Sequence, residues 1–217
     1  MAFIRLFIHV IPQLVPGLWL TVGLAVGATV ISAVVGLAFA LAAVSKIAPA
    51  RLAVAAYVEF LRNTPLLVQM FFIFFGLPFL GVRMSPFSAA LLALAVQHTA
   101  FFSEIYRAGL QAVSKRSHEA AKALGLGYWK SLRLVILPQA IVKVLPAMTN
   151  ELVQIVKDTS VASTIAVAEL TLRGGTIAEQ TASTSVAFVA VACYYLVLTG
   201  IVTVAARVVE NRLRFAE

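Results

Sequence analysis

Long apolar runs separated by short polar segments set the pattern of this chain. The stretch from Ile11 to Ser45 contains no charged residue, and later runs are nearly as apolar. An α-helix needs roughly 20 apolar residues to cross the hydrocarbon core of a bilayer. The pattern therefore predicts one all-α transmembrane domain over residues 1–217, with about five membrane-crossing helices. We place these helices at residues 16–44, 52–75, 86–112, 135–157 and 184–207.

The composition supports a membrane protein and excludes an ordinary soluble one. Hydrophobic residues make up 61% of the 217 residues, and charged residues make up 12%, whereas soluble domains are about 25% charged. The net charge of +8 would suggest nucleic-acid binding in a soluble chain. Here the cations flank apolar runs, so we predict that the chain lies in a lipid bilayer and has no nucleic-acid partner.

The distribution of cations predicts the orientation of the chain. An odd number of spans places the termini on opposite sides, and cytoplasmic segments carry the excess of Lys and Arg. With the amino terminus outside, the outer segments carry only Arg5, Arg83 and Arg173. The inner segments then carry Lys46, Arg51, Lys115, Arg116, Lys122, Lys130, Arg133, Arg207, Arg212 and Arg214. We therefore expect the amino terminus outside, and the carboxyl terminus and the loop at residues 115–134 in the cytoplasm.

The longest polar interruption, His118 to Pro138, begins with the segment HEAAKALGLG. Ser117 is placed to cap a short helix, and Glu119 would then lie in its first turn, where the helix dipole favours an anion. Gly125 is placed to end this helix. The alanines between them would make it slim enough to enter a cleft on another protein. Considered by itself, the segment could also be a generic amphipathic helix at the membrane interface.

The sequence contains no recognisable nucleotide or metal motif. Gly125 to Ser131 superficially resembles a phosphate-binding loop, but such a loop needs Gly directly before its Lys, and here Trp129 precedes Lys130. The three histidines are scattered without metal-ligand spacing, and the single cysteine lies in an apolar run. We therefore expect no catalysis by this chain, and energy supplied by a partner protein or by an ion gradient.

Polar residues on the fourth predicted span mark a candidate binding site. Ionisable groups are costly within a bilayer, so they have a partner or a function. Glu151, Gln154 and Asp158 share one face of this helix. A carboxylate pair two turns apart could hold an ammonium or guanidinium group. The alternative is that Lys157 or Arg62 neutralises these acids for structural reasons.

The second predicted span is interrupted by Arg62, Asn63, Thr64 and Pro65. Proline removes an amide donor and frees an upstream carbonyl group, which is tolerated beside a cavity or a neighbouring helix. Asn63 and Thr64 could then contact the backbone of an amino acid, and Arg62 or Lys157 could meet its carboxylate. The alternative is a helix kink in which Arg62 pairs with Glu59.

The loop and three further segments resemble one known family. The motif Glu119-Ala120-Ala121, followed by Gly125 and by the run from Val135 to Pro138, is similar to the EAA loop of permease subunits in ATP-binding-cassette (ABC) importers. The segments YVEFLRNTPLLVQMFFIFFGLP, SEIYRAG and KDTS resemble polar amino-acid permeases of the histidine, glutamine, arginine and glutamate type. One departure is VSKRS before the motif, where the family often has Pro, Gly and Gln.

The resemblance implies a type I ABC importer permease fold in the bacterial inner membrane, with no cofactor in this chain. It also implies that the loop forms a coupling helix and that Glu151 and Asp158 lie near the translocation path. The expected partners are a second permease subunit, identical or homologous, two cytoplasmic ATPase subunits that bind ATP and Mg, and an outer amino-acid-binding protein. The residues expected at the ATPase contact are Glu119, Ala120, Ala121, Leu124 and Gly125.

The resemblance favours ATP-driven import of a polar amino acid by alternating access, and the residues alone leave two other functions open. A gradient-driven carrier would use Glu151 and Asp158 to relay protons or bind ions. A non-transporting anchor would use its basic loop to recruit a cytosolic partner. The substrate stays open among cationic, acidic and amide amino acids, because the two acids could hold a cationic side chain or the α-ammonium common to all. The choice between homodimer and heterodimer also stays open.

Overall fold

The computed structural model describes residues 2–214, and this part of the chain is almost entirely helical. The first helices are α1 (Ala2–Ala43), α2 (Ala48–Arg62), α3 (Leu66–Phe71) and α4 (Pro86–Gln111). The later helices are α5 (Lys115–Ala123), α6 (Tyr128–Ser131), α7 (Leu137–Asp158), α8 (Leu170–Thr181) and α9 (Thr184–Arg214). Within residues 2–214, four helical stretches are long and apolar enough to cross a membrane, and one bent pair makes a fifth if it counts as a single span. The all-α transmembrane fold is therefore confirmed.

α4 nearly coincides with the third predicted span, whereas the helices at the first, fourth and fifth spans extend beyond the predicted bounds. α1 continues through Pro12 and Pro16 back to Ala2, because a proline within a helix removes one hydrogen bond and bends the helix without always ending it. α7 is extended by a π-helical turn at Leu132–Ile136 before it and by a 3₁₀ segment at Thr159–Ile165 after it.

The second predicted span, residues 52–75, is not a continuous helix. α2 ends at Arg62, Pro65 is extended with φ −60° and ψ 136°, and the following helical segment, Leu66–Leu80, is bent from α2 by 104°. Pro65 has no N–H group to continue the helix, and it forces the preceding residue out of the helical region. The interruption is therefore a sharp break, and it opens the space that becomes the candidate site.

The hydropathy pattern predicts no helix at α8, because LTLRGGTIAEQT mixes apolar and polar residues and is too short to cross a bilayer. Glu169 caps this helix and is 0% exposed. Its carboxylate accepts hydrogen bonds from the N–H groups of Thr171 and Leu172, both 2.9 Å long. The Tyr195 hydroxyl of α9 donates a further bond of 2.8 Å to the same carboxylate. These bonds fix the start of α8 against α9.

α1 packs along α4, and small residues on α1 allow the two backbones to approach closely. A Cβ added at Gly36 would lie 2.7 Å from the Cβ of Phe102. The Ser32 hydroxyl donates a hydrogen bond of 3.0 Å to the carbonyl oxygen of Ala95. The largest buried cluster, which includes Leu24, Phe102, Leu94, Met70 and Ile155, surrounds this contact and reaches α7. The contacts of Gly36 and Ser32 with α4 thus help to fix the position of α4 beside α7.

Replacing Gly36 by Ala is expected to destabilise the protein by about 1–3 kcal/mol, the usual cost of overpacking. The added methyl group would require Phe102 or the α4 backbone to move. Gly23→Ala is the matched control on the same helix, because its Cβ would lie an ordinary 3.6 Å from Phe87. Both changes add the same helix propensity. Thermal unfolding in detergent measures the difference, and equal melting temperatures would contradict the close packing of α1 on α4.

Candidate functional site

A cavity of about 530 Å³ lies where the break after α2 faces α4 and α7. Its volume is within the range of small-molecule sites, roughly 300–1,000 Å³. Six side chains that sequence reasoning offers as substrate contacts line this one cavity: Arg62, Asn63, Thr64, Glu151, Gln154 and Asp158. Lys157, the other cation offered for the substrate carboxylate, does not line it. Gln97, His98 and Phe101 of α4 complete the wall, together with Pro65 and Leu66.

Side chains donate hydrogen bonds to backbone carbonyl groups at the helix break. Asn63 Nδ2 donates to the carbonyl oxygen of Glu59, and Thr64 Oγ1 donates to that of Phe60, each over 2.8 Å. Gln69 Nε2, which is buried, donates to the carbonyl oxygen of Thr64 over 3.0 Å. Unsatisfied backbone groups cost several kcal/mol within a bilayer. These bonds therefore stabilise the break, and they turn the donors of Asn63 and Thr64 toward α2.

Two acidic side chains of α7 meet an imidazole of α4 in this cavity. His98 Nδ1 lies 2.6 Å from Glu151 Oε1, and His98 Nε2 lies 3.4 Å from Asp158 Oδ2. His98 is 1% exposed, whereas the Asp158 side chain is 24% exposed, so Asp158 is the acid that a bound molecule can reach. Gln154 donates a hydrogen bond of 2.8 Å to the other oxygen of Asp158. Such a cluster can bind an ammonium group through ion pairs and charge-assisted hydrogen bonds.

The sequence-based alternative, in which Lys157 or Arg62 neutralises the two acids of α7, is wrong. Lys157 is exposed, and within residues 2–214 neither Lys157 nor Arg62 forms an ion pair with the two acids of α7, which lie beside His98. The kink paired through Glu59 is also wrong, because no Arg62–Glu59 ion pair occurs in this range. The Arg62 guanidinium instead lies over the ring of Phe101, 5.4 Å from its centroid. Arg62 therefore faces the cavity with its charge available.

His98 is the site residue that sequence reasoning missed. Metal-ligand spacing gives no indication of a role for any of the three histidines. A different signal could have found it. A titratable side chain within an apolar span needs a partner, and the acids on the fourth predicted span need a cation. Applied to both helices together, this rule adds His98 to Arg62 and Lys157 as a candidate partner of Glu151 and Asp158, without choosing among the three.

A second cavity, of about 720 Å³, shares Arg62, Asn63 and Phe101 with the first. Its lining continues along α4 to Glu104 and Arg107. Arg107 Nε donates a hydrogen bond of 2.9 Å to Glu104 Oε2, within one turn of the helix. Polar and charged groups therefore extend from the acid cluster toward the carboxyl-terminal end of α4, which leads into α5.

The polar loop forms the short helix α5, but this helix begins earlier than expected. Ser114, and not Ser117, is the N-cap, because its hydroxyl oxygen accepts a hydrogen bond of 3.2 Å from the Ser117 N–H group. The helix begins at Lys115. Glu119 therefore lies beyond the first turn, and the dipole explanation for its position is wrong. Both serines have the chemistry of a cap, and the earlier one prevails because it adds a further turn. Glu119 is an exposed residue on the middle of α5.

Gly125 terminates α5 from just beyond its last residue, as the sequence predicts. Gly125 has φ +71°, a left-handed conformation that glycine adopts without steric cost. Its N–H group donates to the carbonyl oxygen of Lys122 over 2.9 Å, and that of Leu126 donates to Ala121 over 3.1 Å, which is the hydrogen-bond pair of a Schellman motif. The Leu124 side chain at this end is 77% exposed. α5 therefore presents an apolar tip on a polar surface.

α5 is held against the start of α7. Ala121 is 1% exposed and faces inward, whereas Ala120 is exposed. The Ser117 hydroxyl donates a hydrogen bond of 3.1 Å to Gln139 Oε1 on α7. Because α7 also carries both acids of the cavity, one helix connects α5 to the acid cluster.

Residues 35–215 match the family model described as binding-protein-dependent transport system inner membrane component. This stretch contains the cavity, α5 and the whole of α7. The chain belongs to this family. It is a permease of the kind found in amino-acid ABC transporters.

Curated relatives and a solved structure agree with this assignment. The permease is 36% identical over 206 residues to a probable amino-acid ABC transporter permease protein, y4tG, of Sinorhizobium fredii, which covers 95% of this chain and 89% of the relative. It is 37% identical over 182 residues, 84% of each chain, to a probable glutamine ABC transporter permease protein, GlnM, of Bacillus subtilis. A crystal structure of an amino acid ABC transporter with histidines is 36% identical, with a TM-score of 0.87 over 93% of this chain and 94% of that chain.

The likeness extends over nearly the whole permease and not only over the motifs quoted from the sequence. The type I ABC importer permease fold expected from the EAA loop is confirmed. The helix break, the acid cluster and α5 are therefore parts of a membrane transport subunit.

Proposed function

We propose that this permease imports a polar amino acid across the bacterial inner membrane by alternating access, driven by ATP hydrolysis on partner subunits. The cavity at the helix break is the observation that carries the proposal. It combines two acids, a histidine and an arginine with uncharged polar side chains. An amino acid carries an ammonium and a carboxylate group. The cavity offers Glu151 and Asp158 for the first and Arg62 for the second.

The geometry suggests a role for each side chain in this proposal. Asp158 receives the α-ammonium group, because it is more exposed to the cavity than Glu151. Gln154 orients Asp158 through their hydrogen bond. Arg62 meets the α-carboxylate, since its guanidinium forms no ion pair within the described part of the chain. Asn63 and Thr64 shape the wall of the cavity by holding the end of α2 open.

The working assembly in this proposal contains a second permease subunit, identical or homologous. Two cytoplasmic ATPase subunits bind ATP and Mg and dock on α5, and an outer amino-acid-binding protein delivers the substrate. Glu119, Ala120 and Leu124 meet the ATPase, while Ala121 and the Gly125 turn hold α5 in shape. Movement of α5 reaches the cavity through α7, which both contact.

The proposed orientation places the amino terminus outside and the carboxyl terminus in the cytoplasm. The basic residues Lys115, Arg116, Lys122 and Lys130 then lie on the cytoplasmic side, as the positive-inside rule requires. α5 would project toward the side where ATP is available.

ATP hydrolysis by the complex, reconstituted with its ATPase and binding protein, tests this proposal across a panel of amino acids. Stimulation by one or a few polar amino acids is the expected result. The same complex without the binding protein is the matched control. An intact complex that no amino acid stimulates would exclude the amino-acid substrate. Uptake that persists without the ATPase would instead indicate a gradient-driven carrier.

A further inference from the structure

The acid cluster contains a single imidazole between two carboxylates. An ionised carboxylate accepts hydrogen bonds and donates none, so His98 Nδ1 must carry a hydrogen atom to bond Glu151 at 2.6 Å. His98 Nε2 is buried, lies 3.4 Å from Asp158 Oδ2, and makes no hydrogen bond within residues 2–214. If Nε2 also carries a proton, the imidazole is positively charged and forms an ion pair with Asp158. The geometry thus suits an imidazolium.

We propose that His98 is a built-in cation that determines the charge of the substrate this permease accepts. The proposal rests on the proposed function and names its substrate class. With an imidazolium at His98, the charges of Arg62, His98, Glu151 and Asp158 sum to zero. A site of zero net charge suits a zwitterion with an uncharged side chain, such as glutamine. A dibasic amino acid such as arginine brings one further cation and leaves the site with an excess of positive charge.

His98 and the ammonium group of the substrate compete for the same two carboxylates. Asp158 is the exposed acid of the cavity, and any ammonium group that reaches it comes close to His98 Nε2, 3.4 Å from the carboxylate. Two cations within about 4–6 Å disfavour each other. A histidine at the protein surface would be screened by solvent, but His98 is 1% exposed. Solvent therefore screens the repulsion from His98 less than it would at the surface, and this repulsion disfavours a cationic side chain in addition to the α-ammonium group at Asp158.

Direct binding of labelled L-glutamine and L-arginine to the purified permease–ATPase complex tests the role of His98. Leaving out the binding protein removes its own selectivity from the measurement. The wild-type complex is expected to prefer glutamine by at least about tenfold. His98→Gln removes the cation but keeps an amide donor for one acid. We expect this variant to shift the affinity ratio toward arginine by at least about tenfold.

Two further variants separate charge from structure. His9→Gln is the same substitution at an exposed histidine of α1 that lines neither cavity, and it is expected to leave the ratio unchanged. The double variant His98→Gln with Asp158→Asn removes one cation and one anion together. Because the sum of charges is restored, we expect the preference for glutamine to return.

Several outcomes would overturn the role of His98. If the wild-type complex prefers arginine, the proposal is overturned whatever the variants show. It is also overturned if folded His98→Gln has the same glutamine-to-arginine affinity ratio as the wild type. If His98→Gln does not assemble, Asp158→Asn decides, since loss of an anion beside intact His98 should weaken arginine binding more than glutamine binding. An equal loss for both ligands would overturn the proposal. A wild-type complex that binds no amino acid defeats the proposed function itself, whereas glutamine binding with an unshifted ratio defeats only the role of His98.

Discussion

Replacing Leu124 by Asp is expected to lower substrate-stimulated ATP hydrolysis by about a hundredfold or more. Leu124 is 77% exposed at the end of α5, so the change should alter the stability of the permease itself by no more than about 0.5 kcal/mol. In the assembled transporter, this tip would lie in the ATPase cleft. An unpaired charge buried there costs about 3–5 kcal/mol, which is roughly a hundredfold or more in an equilibrium constant.

Leu124→Met is the matched control for this change, because it keeps an apolar side chain of similar volume at the same position. We expect it to retain stimulation within about twofold. Co-purification of the ATPase with each variant separates weak docking from docking without coupling. Full stimulation in the Leu124→Asp complex would mean that the tip of α5 lies outside the ATPase contact.

Glu151→Gln is expected to reduce uptake by roughly 10–150-fold, which corresponds to about 1.5–3 kcal/mol, the usual worth of an interaction with a charged group. Glutamine has the shape of glutamate and can still accept from His98 Nδ1, so the fold should persist. The charge is lost, however, and the cavity is left with an excess of cations around the bound ammonium group. Uptake of the amino acid identified by the stimulation panel measures the effect.

Glu179→Gln makes the same change at an exposed position of α8 that lines neither cavity. We expect this control to transport at the wild-type rate. Melting temperatures in detergent check that both variants are folded. Normal uptake by a normally folded Glu151→Gln variant would place the translocation path elsewhere in the protein.

Local physical rules explain the features that could be predicted from the sequence. Hydropathy locates the spans, and the missing N–H group of Pro65 locates the break. Helical periodicity places Glu151, Gln154 and Asp158 on one face, and the positive φ of Gly125 ends α5. The errors were also local. α1 continues through Pro12 and Pro16, although the first span was expected to begin at residue 16. The N-cap of α5 is Ser114 and not Ser117, and both serines have a side chain that can cap a helix.

Tertiary packing decided the partner of the acids. His98 and Glu151 are 53 residues apart in sequence, and their contact depends on how α4 is rotated toward α7. That rotation depends on the close approach of α1 at Gly36 and Ser32, which no pattern within α4 reveals. The same holds for the 104° bend after α2, since proline breaks a helix without specifying where the next one points.

The sequence by itself thus determined the class of membrane protein, the short helix in the polar loop and six of the polar residues that line the cavity. These depend on hydropathy, turn chemistry and helical period, all of which act within a few residues along the chain. Only the tertiary structure decided that His98, rather than Lys157 or Arg62, lies beside the two acids. An ion pair between helices forms where packing brings the groups together, and packing is a property of the whole bundle.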